Sequence, residues 1–509
     1  MSGQNEESFL DVGWIVSEHL HPAWCLEGKG RNPEYKDMVR IPTKKMDKHT
    51  VIIAQSGSGK SFFLGRLVEE IMLKSKARCL ILDPDGDFRK ISNIDAQVWD
   101  SNQHIYDMRT ARGKLTLESK DEFAKKWIRV MENFVIKTNR IPKESGDEEL
   151  KVWWPSVSLE FIAQENDLRT RTEMFHCHNW AKELFNQFSL ISDDSNGEDI
   201  ITIVKNIFKS LQAMPNEERE KLLQKMKTDK GRIVEKLKSP KASGRSELVG
   251  LFRKAVKSGS LFDSIISLGT GMAGTESLEK AKYVFESYSW ETVNSYFGIL
   301  EQYQSMDILA KRPYLPEHQR RLTVIDLPSL NNNDLRALVL NSILTEEWEN
   351  AKRNWEIAMN GPSDEDRRVP TFIILDEAHN FIPSTPRSRH ESLVREQFRT
   401  IAAEGRKYGL FLILVSQRVD KLDDLVLSEC GNKAILRLDS HSVVDRVIST
   451  LGLEFDVRPE IAAKISSFEP GRVVIAGTWV DDPTIFYCAA RRTIEGGRNL
   501  KDRYWARPA

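Results

Sequence analysis

Apolar residues along this chain fall into two kinds of run. Short, nearly continuous ones occur in "HTVIIAQ" (49–55), "RCLILD" (78–83), "RLTVIDL" (321–327), "TFIILDEA" (371–378) and "LFLILVSQ" (410–417). A run of that length without polar alternation predicts a strand covered on both faces. Between them the spacing turns helical: in "SFFLGRLVEEIML" after the first run, in a stretch from Asn333, and in another through Arg406. "KAILRL" and "RVVIAG" predict two later strands. Strands alternating with helices predict an α/β fold, a mainly parallel sheet with helices on both faces.

The alternation is interrupted. From about 112 to 305 the chain is charged and mostly helical in pattern, as in "KDEFAKKWIRVMENFVIKTNR". The expected organisation is therefore a sheet domain in two parts, 49–111 and 306–488, split by a large helical insertion at 112–305. Residues 1–48 form a short N-terminal β segment with fragments such as "VGWIV", and 489–509 a tail.

Length and charge narrow the class. With 509 residues the chain can bury a large core, and 74 basic against 75 acidic residues exclude a uniformly basic nucleic-acid coat. A local surplus remains: Arg219 to Lys257 holds thirteen Lys/Arg and four Asp/Glu, a candidate DNA-facing patch. Five scattered cysteines (Cys25, Cys79, Cys177, Cys430, Cys488) without C-x-x-C spacing fit a reducing compartment. No apolar run approaches the ~20 residues of a membrane span, and "MSGQNEESFL" lacks the basic and apolar regions of a signal peptide. These features predict a cytoplasmic protein with no membrane partner.

Candidate chemistry begins at "AQSGSGKS" (54–61), which matches G-x-x-x-x-G-K-[ST] except that Ala54 replaces the first glycine. Ala54 lies farthest from the phosphates and is the smallest substitute. Gly57 and Gly59 allow the backbone to curl, so the N–H groups of Ser56 to Phe62 (Ser56, Gly57, Ser58, Gly59, Lys60, Ser61, Phe62) form a phosphate cradle at a helix N-terminus. Lys60 supplies a cation for the β/γ-phosphates of ATP and Ser61 a hydroxyl for Mg²⁺.

Three strands end in polar residues where ligands of a doubly wound sheet sit. "TFIILDEAHN" runs into Asp376, placed to hold Mg²⁺ through water, and Glu377, placed to orient and polarise the attacking water. "LFLILVSQR" delivers Gln417, an amide suited to sensing the γ-phosphate. "LDPDGDF" ends in Asp83, expected at the nucleotide edge, with Asp85 and Asp87 shaping the turn. An EF-hand is excluded there because Gly86 is fourth and Ile94 twelfth. "HCH" (176–178) lacks a second Cys/His pair at finger spacing.

Taken together, "AQSGSGKS", "LILDPDGDF", "LTVIDLPSL", "TFIILDEAHNFIP", "IAAEGRKYGLFLILVSQR" and "ARRTIEGGR" resemble the HerA/FtsK superfamily of DNA-translocating ATPases, closest to its HerA branch. The resemblance covers roughly half the chain and implies a RecA-like P-loop ATPase core. It implies a homohexamer with ATP between subunits, double-stranded DNA in a central channel, and a trans-acting arginine. Arg406 in "EGRKYG" is the first candidate for that arginine and Arg399 the second; a finger of this kind is worth about 10³–10⁵ in rate. Arg491 and Arg492 match the family's C-terminal brace, which reaches a neighbour's nucleotide. Family members often carry an N-terminal β-barrel; the segment here is too short for a full one, leaving a reduced barrel or another docking arrangement. The resemblance also implies a partner nuclease or NAD-consuming effector, in anti-phage defence. The alternative is a ring scaffold that switches an effector without sustained translocation.

Overall fold

The computed structural model describes residues 8–14, 38–95, 120–140, 144, 146–150, 152–153, 217, 309–310, 320–360, 368–453, 459–489 and 491–496. The basic stretch Arg219 to Lys257, His176 to His178, Cys25 and Cys177 lie outside them. The chain divides into two compact units, Met1–Leu150 with Pro316–Ala509, and Lys151–Leu315. In the second unit the described strands Val152–Trp153 (β7) and Leu309–Ala310 (β8) pair in parallel.

The first unit is built on one sheet. Its parallel centre is β12 (Asn432–Ile435), β3 (Thr50–Ile53), β11 (Leu410–Ser416), β10 (Thr371–Leu375), β4 (Arg78–Asp83) and β9 (Leu322–Asp326), in that spatial order. Every residue of β3, β4, β9, β10 and β11 is buried, which is why these strands read as unbroken apolar runs. The order places β11 between the strand before the phosphate loop and the strand ending at Asp376. This is the mainly parallel α/β architecture expected from the alternation of runs.

Helix α1 (Lys60–Lys74) follows the loop, and its first thirteen residues, through Met72, are buried. Helices α3 (Asn333–Asn360) and α4 (Arg389–Tyr408) pack against each other. Helix α4 buries Val394, Phe398, Ile401, Ala402 and Gly405, a single stripe at helical spacing. Its start is fixed by Ser388, whose Oγ accepts the Glu391 N–H (3.1 Å), while Glu391 reaches back to the Arg387 N–H (2.7 Å). It stops at Gly409, at φ 84°, where glycine carries no Cβ penalty.

Two boundaries differ from the sequence expectation. Helix α2 (Lys120–Met131) and strands β5 (Phe134–Thr138) and β6 (Asp147–Glu149), placed in the insertion on their charged pattern, belong to the sheet unit: β5 pairs with β9 and β6 with β5. Charge misled because this edge is tied by ions. Arg89 bridges Asp147 (2.7 Å) and Asp326 (2.9 Å), and Arg140 also meets Asp326 (2.7 Å). At the opposite edge, β1 (Phe9–Trp14) and β2 (Met38–Pro42) pair with each other, and β1 pairs antiparallel with β14 (Thr484–Cys488), next to β13 (Arg472–Gly477). The described N-terminal strands thus extend the core sheet.

The segment after β14 returns beneath α1. Arg491 is 1 % exposed and donates to the carbonyls of Ser61 (3.2 Å), Asp87 (3.3 Å) and Ile494 (3.2 Å), with its guanidinium over the Phe88 ring. Room for it exists because α1 has glycine at position 65: a Cβ there would stand 2.4 Å from Arg491 Cδ. Arg492 pairs with Glu69 (3.1 Å) and Glu70 (2.6 Å). Gly65→Ala, which in an exposed helix would gain up to about 1 kcal/mol of helix propensity, is therefore expected to destabilise by about 1–3 kcal/mol through overpacking. Urea midpoints of Gly65→Ala in the wild-type and Arg491→Ala backgrounds check this; the cost should vanish in the second.

Candidate active site

The site lies at the carboxyl ends of β3, β10 and β11. After Ile53 the backbone is anchored on both sides, the Ala54 N–H donating to Ser416 O (3.1 Å) and the Gln55 N–H to Arg437 O (3.1 Å). Ala54 is fully buried and is not among the described residues with positive φ, so its methyl group fits where the motif carries glycine. Gly57 (φ 74°) and Gly59 (φ 95°) do need the left-handed region. Ser56 and Gly57 are exposed at the loop's tip, whereas Ser58, Ser61 and Phe62 are buried.

Lys60 is 8 % exposed and sits between two carboxylates, 2.8 Å from Asp376 Oδ1 and in direct contact with Glu377 Oε1. Burial alone would lower its pKa; the charges of Asp376 and Glu377 overcome that and raise it, so the ammonium is fixed. Gln417 Nε2 donates to the same Glu377 oxygen (2.5 Å). His379 Nδ1 lies 3.4 Å from Glu377 Oε2 and 3.2 Å from Ser416 Oγ. Glu377 is the one non-glycine residue with positive φ among the described residues (φ 45°, ψ 44°), at a cost of order 1–3 kcal/mol. Its strain, its buried carboxylate and its bonds to Lys60 and Gln417 mark it as the centre of the site, while its Oε2 accepts no hydrogen bond among the described residues.

Asp376 is pushed up to about 6 by burial, against the pull of Lys60. Its Oδ2 has no hydrogen-bond partner among the described residues. An orphaned buried carboxylate oxygen beside a phosphate loop fits a hydrated divalent cation. Ser61 Oγ donates to Asp87 Oδ2 (2.5 Å), so Asp87 does more than shape a turn and faces the same hydroxyl. Asp83 has the reverse assignment. It accepts the N–H groups of Gly86 (2.8 Å), Asp87 (3.2 Å) and Phe88 (2.9 Å), holding the turn that presents Asp87.

The arginines separate by burial. Arg399 is bound to Asp423 through Nε (3.0 Å) and Nη2 (2.6 Å), with Glu396 at 2.8 Å. Arg491 and Arg492 are committed beneath α1 of their own chain, and Glu69 and Glu70, for which no role was expected, are the acids that seat Arg492. Arg406 is exposed in the last turn of α4, donating only to Asp47 O (3.2 Å) among the described hydrogen bonds. The contacts of Asp87 with Ser61 and of Asp423 with Arg399 had no signal in the sequence, since the partners are distant along the chain, and His379 is read only once β11 brings Ser416 beside it.

Asp83 supplies a pH test. Burial, opposed by its three N–H donors, raises its pKa from 3.8 to about 7. The folded chain then binds a proton that the unfolded chain releases at lower pH. Stability contributed by the protonated form is full below the unfolded value and is lost as pH rises through about 7. Asp83→Asn removes this loss, so its urea midpoint relative to wild type should be higher near pH 8 than near pH 5. The fixed cost of weakening the Phe88 bond cancels in that comparison.

A family model described as "Helicase HerA, central domain" matches residues 32–347. The chain is similar to the DNA double-strand break repair helicase HerA of Sulfolobus acidocaldarius, 31% identical over 168 residues, covering 32% of this chain and 31% of that protein. To its counterpart in Saccharolobus solfataricus it is 24% identical over 200 residues, covering 38% and 37%. The chain thus spans about a third of the length of these curated relatives. Among solved structures it is similar to the plasmid coupling protein TrwB in complex with a non-hydrolysable ATP analogue (12% identity, 98% of each chain, TM-score 0.42). It is also similar to VirB4 of Thermoanaerobacter pseudethanolicus (12% identity, 96% and 97%, TM-score 0.38).

Proposed function

The chain belongs to the HerA helicase family, matched through its central domain, and from that premise we propose that it is an ATP-driven translocase on double-stranded DNA. The observation that carries the reading is the cluster of Lys60, Asp376 and Gln417 around the strained Glu377, where β10 ends beside the start of the phosphate-loop helix. On this reading the β/γ-phosphates draw the Lys60 ammonium from the two carboxylates. Glu377, released on Oε1, orients the attacking water with Gln417 beside it. Asp376 and Ser61 are the residues to hold Mg²⁺, which when bound neutralises charge on the β/γ oxygens. Ser56 to Phe62 cradle the phosphates with backbone N–H groups.

The protein works as a homohexamer with Arg406 acting on the neighbouring subunit's ATP. Exposure at the end of α4 supports that choice over Arg399, which Asp423 already holds. The burial of Arg491 and Arg492 supports a bracing role behind the phosphate loop of their own subunit. The family resemblance supports cytoplasmic work with a partner nuclease or NAD-consuming effector, in defence against phage. Among the described residues no helix is long and apolar enough to cross a membrane.

Three measurements test the site and the motor. Lys60→Ala should abolish ATP turnover, while Glu377→Gln should still bind ATP yet hydrolyse it about 10²–10⁴-fold more slowly, since an amide cannot serve as a charged base. Normal turnover in Glu377→Gln would sink the assignment. Rings of pure Arg406→Ala and pure Lys60→Ala should both be inactive, but mixing under proven subunit exchange should restore activity by pairing intact half-sites; no recovery excludes Arg406 as a trans residue. In a triplex-displacement assay, ATP-dependent removal of the third strand is expected. DNA-independent hydrolysis without displacement would favour the ring scaffold.

A further inference from the structure

Beside Glu377, on the face of His379, the structure holds a cavity of about 530 Å³ bounded by the starts of α3 and α4, the turn after β10 and the turn after β11. Arg336, Arg387, Arg418 and Lys421 line it, against Asp85, Asp334 and Glu391. The acids are partly engaged: Asp334 meets His390 (3.1 Å) and Glu391 accepts from Arg387 N and caps α4. No described hydrogen bond or ion pair engages the charged ends of Arg387, Arg418 or Lys421. This concave, cation-lined wall suits phosphates of a nucleic-acid backbone.

His379 lines the same cavity and touches Glu377. Its Nδ1 faces two acceptors, Ser416 Oγ at 3.2 Å and Glu377 Oε2 at 3.4 Å, and one N–H can serve only one of them at a time. Ser416 Oγ is itself held by the turn, accepting the Arg418 N–H at 3.0 Å and donating to Arg418 O at 3.3 Å. A displacement of Arg418 is therefore felt at the hydroxyl that competes with Glu377 for His379. Burial lowers the His379 pKa; Glu377 opposes this, while Arg418, Lys60 and Lys421 add to it. The shift favours the neutral ring, and in the tautomer with its proton on Nδ1 the ring offers one N–H to the two acceptors.

We propose that His379 is a positioning residue that couples occupancy of this cavity by the DNA backbone to Glu377. With the cavity empty, the N–H is shared toward Ser416 and Glu377 is held on Oε1 by Lys60 and Gln417. Phosphates on Arg418 and Lys421 draw the β11 turn outward, and the N–H passes to Glu377 Oε2. Once ATP has taken Lys60, that bond aims the carboxylate at the water. This rests on the translocase reading given above.

The test is steady-state ATP turnover with and without linear duplex DNA, together with DNA affinity, for wild type, His379→Ala, His379→Asn and Arg418→Ala/Lys421→Ala. DNA should stimulate the wild type. His379→Ala should lose about tenfold or more of the DNA-stimulated kcat, the worth of a hydrogen bond to a charged group, with KM for ATP and DNA affinity unchanged. His379→Asn, which restores an N–H donor, should regain most of it; the arginine–lysine double variant should lose DNA affinity and stimulation together. Full stimulation in His379→Ala, failure of His379→Asn to rescue, or undiminished DNA affinity in the double variant would each overturn the coupling while leaving a translocating wild type intact. A wild type that neither binds nor responds to DNA would overturn the translocase reading, and this inference with it.

Discussion

A buried ammonium governs this structure. Lys60 has almost no exposed surface, and a charge in that position costs several kcal/mol unless it is paired at close range. Its two carboxylates come from the end of β10, which is not the neighbour of β3. Strand β11 must therefore lie between them, with its register placing Ser416 beside Ile53 and Leu414 beside Leu375. From that register follow the reach of Gln417 to Glu377 and the seat of Ala54 against Ser416. The left-handed backbone of Glu377 is the remaining adjustment: it turns the side chain back toward Lys60 at the strand's end. Pairing of one cation thus specifies the geometry of three strand ends.

Positive charge elsewhere is divided by the same rule. Arg78 is held by Glu347 inside the sheet unit, Arg492 by Glu69 and Glu70, and Arg491 by carbonyl oxygens and the face of Phe88. Each is nearly inaccessible and each has its partners in the same chain. Breaking such an arrangement by removing one partner leaves an uncompensated buried charge, so these residues behave as core. The cations at the cavity beside His379 and Arg406 at the end of α4 have no such carboxylate among the described ion pairs, and Arg387, Arg418 and Arg406 are exposed at the surface.

Much of this was legible in the amino-acid pattern. The phosphate loop, the Asp376–Glu377 pair and Gln417 announce themselves because each ends a continuous apolar run, and such runs come only from strands covered on both sides. Runs do not say which strands are neighbours, so nothing in them indicated that β11 separates β3 from β10. Nor does local charge reveal burial. "KDEFAKKWIRVM" reads as a solvated helix, yet Phe123 and Trp127 are fully inside and the Trp127 indole donates to Ile91 O (3.0 Å). Position at the strand end pointed to Asp83 as the nucleotide-edge acid and to Asp87 as a turn residue, the reverse of what the contacts show. Only the fold assigns the first to backbone N–H groups and the second to Ser61.

The sheet order also bears on biosynthesis. Strand β3 leaves the ribosome well before its neighbours β11 and β12; the hydrogen bond between His49 and Leu412 joins residues 363 apart. At about 5–20 residues per second, roughly 20–70 s pass before that partner is made. For that interval the apolar strand bearing the phosphate loop has two open edges, and no nascent length short of β11 contains a nucleotide site. The segment that seals α1, Arg491 and Arg492, is made later still, after β14.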